Sequence, residues 1–251
     1  MSLDIRWVSL FADVPAPLLE PAVAFWELVT GCRAGTPSGD QREYLPLMPL
    51  VGDPVFWLQR VGRDIGGWHL DLHVPDTAAA ARAAVQGGAQ VTRDWDSLVV
   101  LASPAGLPFC LVLERQPART RPEPPSWPAI GRSLVDQLCL DLPADVHDDE
   151  RAFWTELTGW SYTAGGMPEF SRLTPPPSLP IQLLFQRLGA DDSGGIRAHL
   201  DMSADDPSGE VARHMSLGAS VAREAEHWTV LRDPAGLIYC VTHRRPLEPP
   251  H

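Results

Sequence analysis

Apolar residues fall into two rhythms along this chain. Runs 7–12 and 134–140 are short and β-prone. Strand-length stretches follow at 69–74, 98–102 and 108–113, and again at 199–204, 229–232 and 237–242. Segments 44–47 with 55–60, and 170–173 with 181–188, read as paired strands. Between them 18–29, 77–86, 149–157 and 208–217 read as helices. The first and third helices run into Gly31 and Gly159, where a left-handed cap has no Cβ clash. The turns Ser103-Pro104-Ala105-Gly106 and Asp233-Pro234-Ala235-Gly236 place Pro and Gly where a tight reversal between strands needs them. The pattern therefore predicts βαβββ modules, two in each half of the chain.

The halves are copies. Residues 25–31, FWELVTG, return as FWTELTG at 153–159; His69-Leu70-Asp71-Leu72 returns as His199-Leu200-Asp201-Met202; the two Pro-Ala-Gly-Leu turns and the pair Cys110 and Cys240 keep the same order. Offsets of 128 to 130 residues, the differences between these matched positions, make the duplication clear. Between the copies Pro117, Pro122, Pro124, Pro125 and Pro128 favour an extended, semi-rigid connection. The expected organisation is a domain over 1–115, a proline-rich linker over 116–130 and a second domain over 131–246, with the two domains pairing within the chain.

The joint order of Phe-Trp and Thr-Gly on the first helix, His-Leu-Asp on a strand, and a Pro-Ala-Gly turn resembles the glyoxalase-like branch of the vicinal-oxygen-chelate superfamily. The resemblance implies an α+β protein of two tandem glyoxalase-like domains, each with two βαβββ modules forming a curved sheet around a cavity. It also implies, as in many members, a divalent metal ion held by residues on the first and last strands of each module. On this sequence His69 and His199 fall at a metal-histidine position. Gln137, and Ser9 in the first copy, stand near the other histidine position. Gln59 and Gln186 lie near one glutamate position, and Cys110 and Cys240 near the other. The set His69, His199, Gln137 and Gln186 is thus the metal candidate. Amides bind such ions less well than the family's carboxylates do, so a divalent cofactor and no cofactor both stay open. The second copy keeps more of the pattern.

Alternation along a strand puts His69, Asp71 and His73 on one side, and His199, Asp201 and Ser203 on the matching side of the second copy. Each His with its Asp is either an oriented acid/base pair or a pair that satisfies itself within the sheet. Trp26 and Trp154 are core candidates. Trp7, Trp57, Trp68, Trp95 and Trp228 sit on or beside cavity-lining strands, and of these Trp7, Trp57 and Trp228, with His73, Gln59, Gln137 and Gln186, are ligand-contact candidates. Cys110 and Cys240 read as buried, unreactive thiols.

Charge and composition narrow the partners. A formal charge of −12 argues against a nucleic-acid partner and favours a cationic ligand. No apolar run reaches membrane-spanning length, and the first residues lack an export pattern, so a cytoplasmic location is expected. Nucleotide-loop, hydrolase-elbow and zincin motifs are missing from the sequence. What the resemblance implies is a bleomycin-resistance-like protein that binds a small, aromatic or cationic molecule. The alternative is a lyase, isomerase or dioxygenase-type enzyme acting on a small oxygenated substrate, with metal or through His-Asp chemistry. A third reading is an interaction module in which one copy has become scaffold. A homodimer is compatible with all three.

Overall fold

The computed structural model describes residues 2–116, 118–189, 192 and 194–246. In the first copy β1 (Trp7–Pro15), α1 (Leu19–Thr30), β2 (Arg33–Ala34), β3 (Tyr44–Met48) and β4 (Phe56–Val61) form one module. Its second module is β5 (Gly67–Val74), α2 (Thr77–Gln86), β6 (Gln90–Trp95), β7 (Leu98–Ala102) and β8 (Pro108–Leu113). After β9 (Ser126–Trp127) the second copy repeats the order with β10 (Gly131–Leu142), α3 (His147–Thr158), β11 (Ser161–Ala164), β12 (Phe170–Thr174) and β13 (Gln182–Arg187). It closes with β14 (Arg197–Ala204), α4 (Pro207–Ser216), β15 (Ser220–Glu224), β16 (Trp228–Arg232) and β17 (Ile238–Thr242). Each copy makes one open, curved sheet, in the strand orders β2-β3-β4-β1-β5-β8-β7-β6 and β11-β12-β13-β10-β14-β17-β16-β15. No helix among the described residues is long and apolar enough to cross a membrane.

The helices start and stop for local reasons. Asp76 and Asp206 cap α2 and α4 by accepting from the amides of Ala79 at 2.8 Å and Gly209 at 3.0 Å. Each satisfies a donor that the helix leaves orphaned. Replacing either by Ala should lower stability by about 1 kcal/mol, read as a shift in urea midpoint. Gly31 and Gly159 end α1 and α3 with φ of 67° and 66°, as the sequence predicts. Strands β6 and β15 escape sequence reading because every residue in both is exposed, so neither shows an apolar alternation. Each is a sheet edge with a register irregularity, a bulge that discourages further pairing. The linker is less detached than its prolines suggest, since Ser126 and Trp127 pair with β10. Pro117 of the linker lies outside the described residues.

Compactness and duplication cut the chain differently. One compact unit joins the second module of the first copy, His69–Arg119, to Leu138–Ala198, which holds the first module of the second copy; the chain start through Leu10 belongs with them. The other unit joins Phe11–Trp68 and Thr120–Gln137 to the chain from His199 onward. Aromatic packing is the reason. In the first unit Phe109 of β8 meets Phe153 and Trp154 of α3, with ring centroids 6.0 and 5.0 Å apart. In the second, Trp26 of α1 packs at 5.0 Å from Tyr239 of β17 and at 4.9 Å from Phe56. Trp68 belongs to this same core and donates its indole N–H to the Ile238 carbonyl at 2.9 Å. It is therefore a packing residue of this core.

Arg213 on α4 ties this second unit together. Its guanidinium donates to the Leu28 and Val29 carbonyls at the end of α1, at 2.9 and 2.8 Å. It pairs with Glu210 at 2.7 Å and stacks over Trp127 at 3.9 Å. Burial opposes ionising Glu210, and the hydrogen bonds from Arg213 and His214 outweigh it, holding that carboxyl at about 2.

Candidate functional site

Strands β5 and β8 run parallel with Asp71 directly opposite Cys110, and β14 and β17 repeat this with Asp201 opposite Cys240. Alternation sends Leu70, Leu72 and Val74 into the apolar core, fully buried, and turns His69, Asp71 and His73 to the other face. In the first copy His69 Nε2 lies 3.5 Å from Asp71 Oδ1. One ligating atom each from His69, Asp71 and Cys110 falls within 4.8 Å of the others, all three residues being buried. The second copy places His199 Nε2 3.3 Å from Asp201 Oδ1.

Gln137 donates its amide N–H to the other oxygen of Asp201. Burial works against ionising Asp201, and the His199 ring, Arg244 and Gln137 outweigh it, so the carboxyl stays below its usual range. Burial first, and the Asp201 charge second, push the Cys240 thiol up to about 11. At neutral pH Cys240 is therefore protonated. The family's glutamate positions hold Gln and Cys here, and Asp71 and Asp201 bring the carboxylates instead, each placed opposite a thiol by the ladder register.

His73 has a different job. Its Nε2 meets Ser9 Oγ at 2.9 Å, and its Nδ1 lies 3.4 Å from Glu114 Oε2. Glu114 in turn accepts from Arg119 Nε at 2.7 Å, and that guanidinium sits 5.7 Å over the Trp7 ring. Burial chiefly, then the Arg119 charge, lower the His73 pKa to about 4 against the opposing pull of Glu114. His73 is neutral at physiological pH. In the second copy Gln137, Ser203 and Arg244 occupy the places of Ser9, His73 and Glu114, and Arg244 pairs with Asp136 at 2.7 Å. Glu114 and Arg119 escaped the sequence reading. The available signal was the charge reversal between Glu114 and Arg244 in the repeat.

The remaining candidates separate. Trp7 is buried under Arg119. Trp57 is half-buried and stacks on Phe11, with centroids 5.6 Å apart and planes at 24°, and Tyr44 meets Phe11 edge-on at 6.1 Å. The Trp57 indole N–H is buried with no acceptor among the described residues. Gln59 and Gln186 are half-buried on β4 and β13, in register with Tyr44 and Phe170. Trp228 is half-buried opposite Thr242, and Trp95 lies on the exposed β6 edge.

The sequence model of the glyoxalase-like domain matches this chain twice, over 9–112 and 137–242. No curated protein matches it. Among solved structures it is similar to the Mn(II)-bound glyoxalase from Novosphingobium aromaticivorans, with a TM-score of 0.65 at 17% identity, covering 96% of this chain and 82% of that one. It is also similar to a variant of homoprotocatechuate 2,3-dioxygenase from B. fuscum in complex with HPCA, at TM-score 0.65 and 13% identity, covering 97% of this chain and 72% of that one. A mutant of 4-hydroxymandelate synthase from Streptomyces coelicolor aligns at TM-score 0.60 and 15% identity over 97% and 94% of the two chains. At these identities the likeness is one of fold.

Proposed function

We propose, for a chain that belongs to the glyoxalase-like domain family and carries that domain twice, that it binds a small oxygen-bearing molecule at the His69-Asp71-Cys110 cluster of its first sheet and the His199-Asp201 pair of its second. In the first copy His69, Asp71 and Cys110 would hold a divalent cation. The observation that carries this reading is the donor spacing. Two ligands at about 2.1 Å from one ion, at a tetrahedral angle, stand roughly 3.4 Å apart, and the His69 to Asp71 separation is 3.5 Å. A nitrogen, a carboxylate oxygen and a sulfur form a borderline donor set, suited to zinc-like ions rather than to magnesium or calcium. The Mn(II)-bound neighbour in the fold supports a divalent ion, while the choice of a zinc-like one rests on the donor set. When bound, such an ion polarises a substrate oxygen and stabilises negative charge that develops on it.

The chain's own residues contribute the rest. Asp71 adds the carboxylate beside His69, and the buried Cys110 closes the cluster from the adjacent strand. The acidic chain favours neutral or cationic ligands over anions. Gln137 serves by holding Asp201 rather than by binding an ion. That contact also favours a metal-free variant of the chemistry in the second copy, with His199 as a general base oriented by Asp201.

Metal analysis separates these. Protein purified from metal-replete medium should carry about one equivalent of a zinc-like ion per chain, and Cys110→Ser should weaken its affinity at least about tenfold. Less than roughly a tenth of an equivalent in the unaltered protein would exclude the metal-dependent reading. Ion addition should also raise Tm by mass action, and His69→Ala should abolish that shift.

A further inference from the structure

The linker encloses a second space. A cavity of about 360 Å³ lies between residues 122–127, the end of α1 and the loop joining β3 to β4. Its wall includes Leu47, Leu50, Val55, Phe56, Pro124 and Trp127, and none of its wall residues belongs to a His-Asp-Cys cluster. That volume lies within the range of small-molecule sites, which runs from roughly 300 to 1,000 Å³.

Its walls are preformed. Asp53 N donates to the Thr120 carbonyl at 2.8 Å, and Thr120 N returns a bond to the Asp53 carboxylate at 2.7 Å. Gly52, at φ 95°, lies so close to the linker that a Cβ there would stand 2.6 Å from the Arg121 carbonyl oxygen. The Trp127 indole donates to Ser133 Oγ at 3.0 Å, which fixes the ring as a wall.

Of the wall's polar side chains, Thr30 and Cys32 are engaged, while Glu123 and Ser126 are exposed. Thr30 Oγ1 donates to the Trp26 carbonyl at 2.6 Å, and the Cys32 thiol lies 3.7 Å from the Thr30 carbonyl. An anionic guest would leave its hydration shell to face the Glu123 carboxylate, whereas an apolar guest lying along Leu47, Val55, Phe56 and Trp127 would lose only unfavourable contact with water. Leu50, 96% exposed, stands on the same wall as an uncovered apolar residue.

We propose that this cavity is a second binding site, for a compact, uncharged, hydrocarbon-rich molecule of roughly ten to fifteen non-hydrogen atoms. The site is independent of the metal reading. Cys32, half-buried on its wall, reports its occupancy, because a seated guest shields the thiol.

Naphthalene is the probe, and peptide mapping of iodoacetamide labelling at Cys32 is the readout. At about ten times its Kd, naphthalene should slow Cys32 alkylation roughly tenfold and raise Tm, with naphthalene-2-sulfonate doing neither. Val51→Trp, which fills the space from the loop side, should abolish the protection, and Leu134→Phe should weaken it from the opposite wall. His69→Ala should leave it intact. The proposal is overturned by unchanged alkylation rates, by equal protection from the sulfonate, or by protection that persists in both filled variants. It is also overturned if Cys32 becomes protected as protein concentration rises without naphthalene, since a second copy would then be the occupant.

Discussion

Asp233→Ala should destabilise the protein by about 4 kcal/mol, as the sum of buried donors left without acceptors. Asp233 accepts from the Trp26 indole at 2.9 Å and from the amides of Ala235 and Leu237 at 2.9 and 2.8 Å. Burial makes this carboxyl hard to ionise, so its pKa stands above the usual range despite those bonds. Each orphaned buried donor costs about 1–3 kcal/mol, with the lower end apt where water reaches the half-buried Ala235.

The first unit solves the same problem with the carboxylate on the other partner. There the turn residue is Ser103, and Glu150 of α3 accepts from the Trp154 indole at 2.8 Å and from Ala105 N at 2.9 Å. Ser103 Oγ takes the Leu107 amide at 3.0 Å. The position in α1 that matches Glu150 is Ala22, fully buried. Transplanting one solution onto the other gives a double-mutant cycle. Asp233→Ser alone loses acceptors, and Ala22→Glu alone confines two carboxyls in one buried place. The double variant should recover at least about 2 kcal/mol relative to the sum of the singles. Urea midpoints measure all four proteins, and strict additivity would show that the two arrangements are not equivalent.

Stability should also fall by about 3 kcal/mol through His73 as pH drops from 6.5 to 4. The folded-state pKa is lowered to about 4, chiefly by burial, while the unfolded chain titrates near 6.5. Below that unfolded value the denatured state takes up a proton that the native state refuses. The stability is therefore complete above pH 6.5 and declines as pH falls, levelling near the folded pKa. His214 is also lowered by burial and adds loss of the same sign, so the slope of the unaltered protein alone does not isolate His73. The comparison with His73→Gln does, because glutamine can still meet Ser9 and does not titrate. Denaturation from pH 7 to 4 should show a shallower decline in the variant, and parallel curves would refute the assignment.

Much of this molecule was legible along the chain. Helix α2 and strands β7 and β8 occupy the predicted residues, and His69, Asp71 and His73 share the face that alternation gave them. These features depend on neighbours a few residues away, where backbone geometry alone sets the period. The candidate site was legible only in part. That Asp71 faces Cys110 follows from the parallel register of β5 with β8, two strands separated by a helix and a hairpin. That His73 meets Ser9 and Glu114 depends on strands far apart in sequence.

The duplication is the clearest case of both. Sequence by itself determined that the fold is one domain written twice, through motifs repeated in order at nearly constant spacing. It also determined that each copy carries a His-Leu-Asp strand and a matching cysteine. Only tertiary structure decided that sheets follow the copies while compact units mix their modules. Backbone hydrogen bonds within a copy build each sheet, whereas the aromatic faces of α1 and α3 are buried against strands of the opposite copy. No local pattern encodes which distant surface an apolar face will meet, so the placement of the buried carboxylates Asp233 and Glu150 becomes intelligible only after that packing is seen.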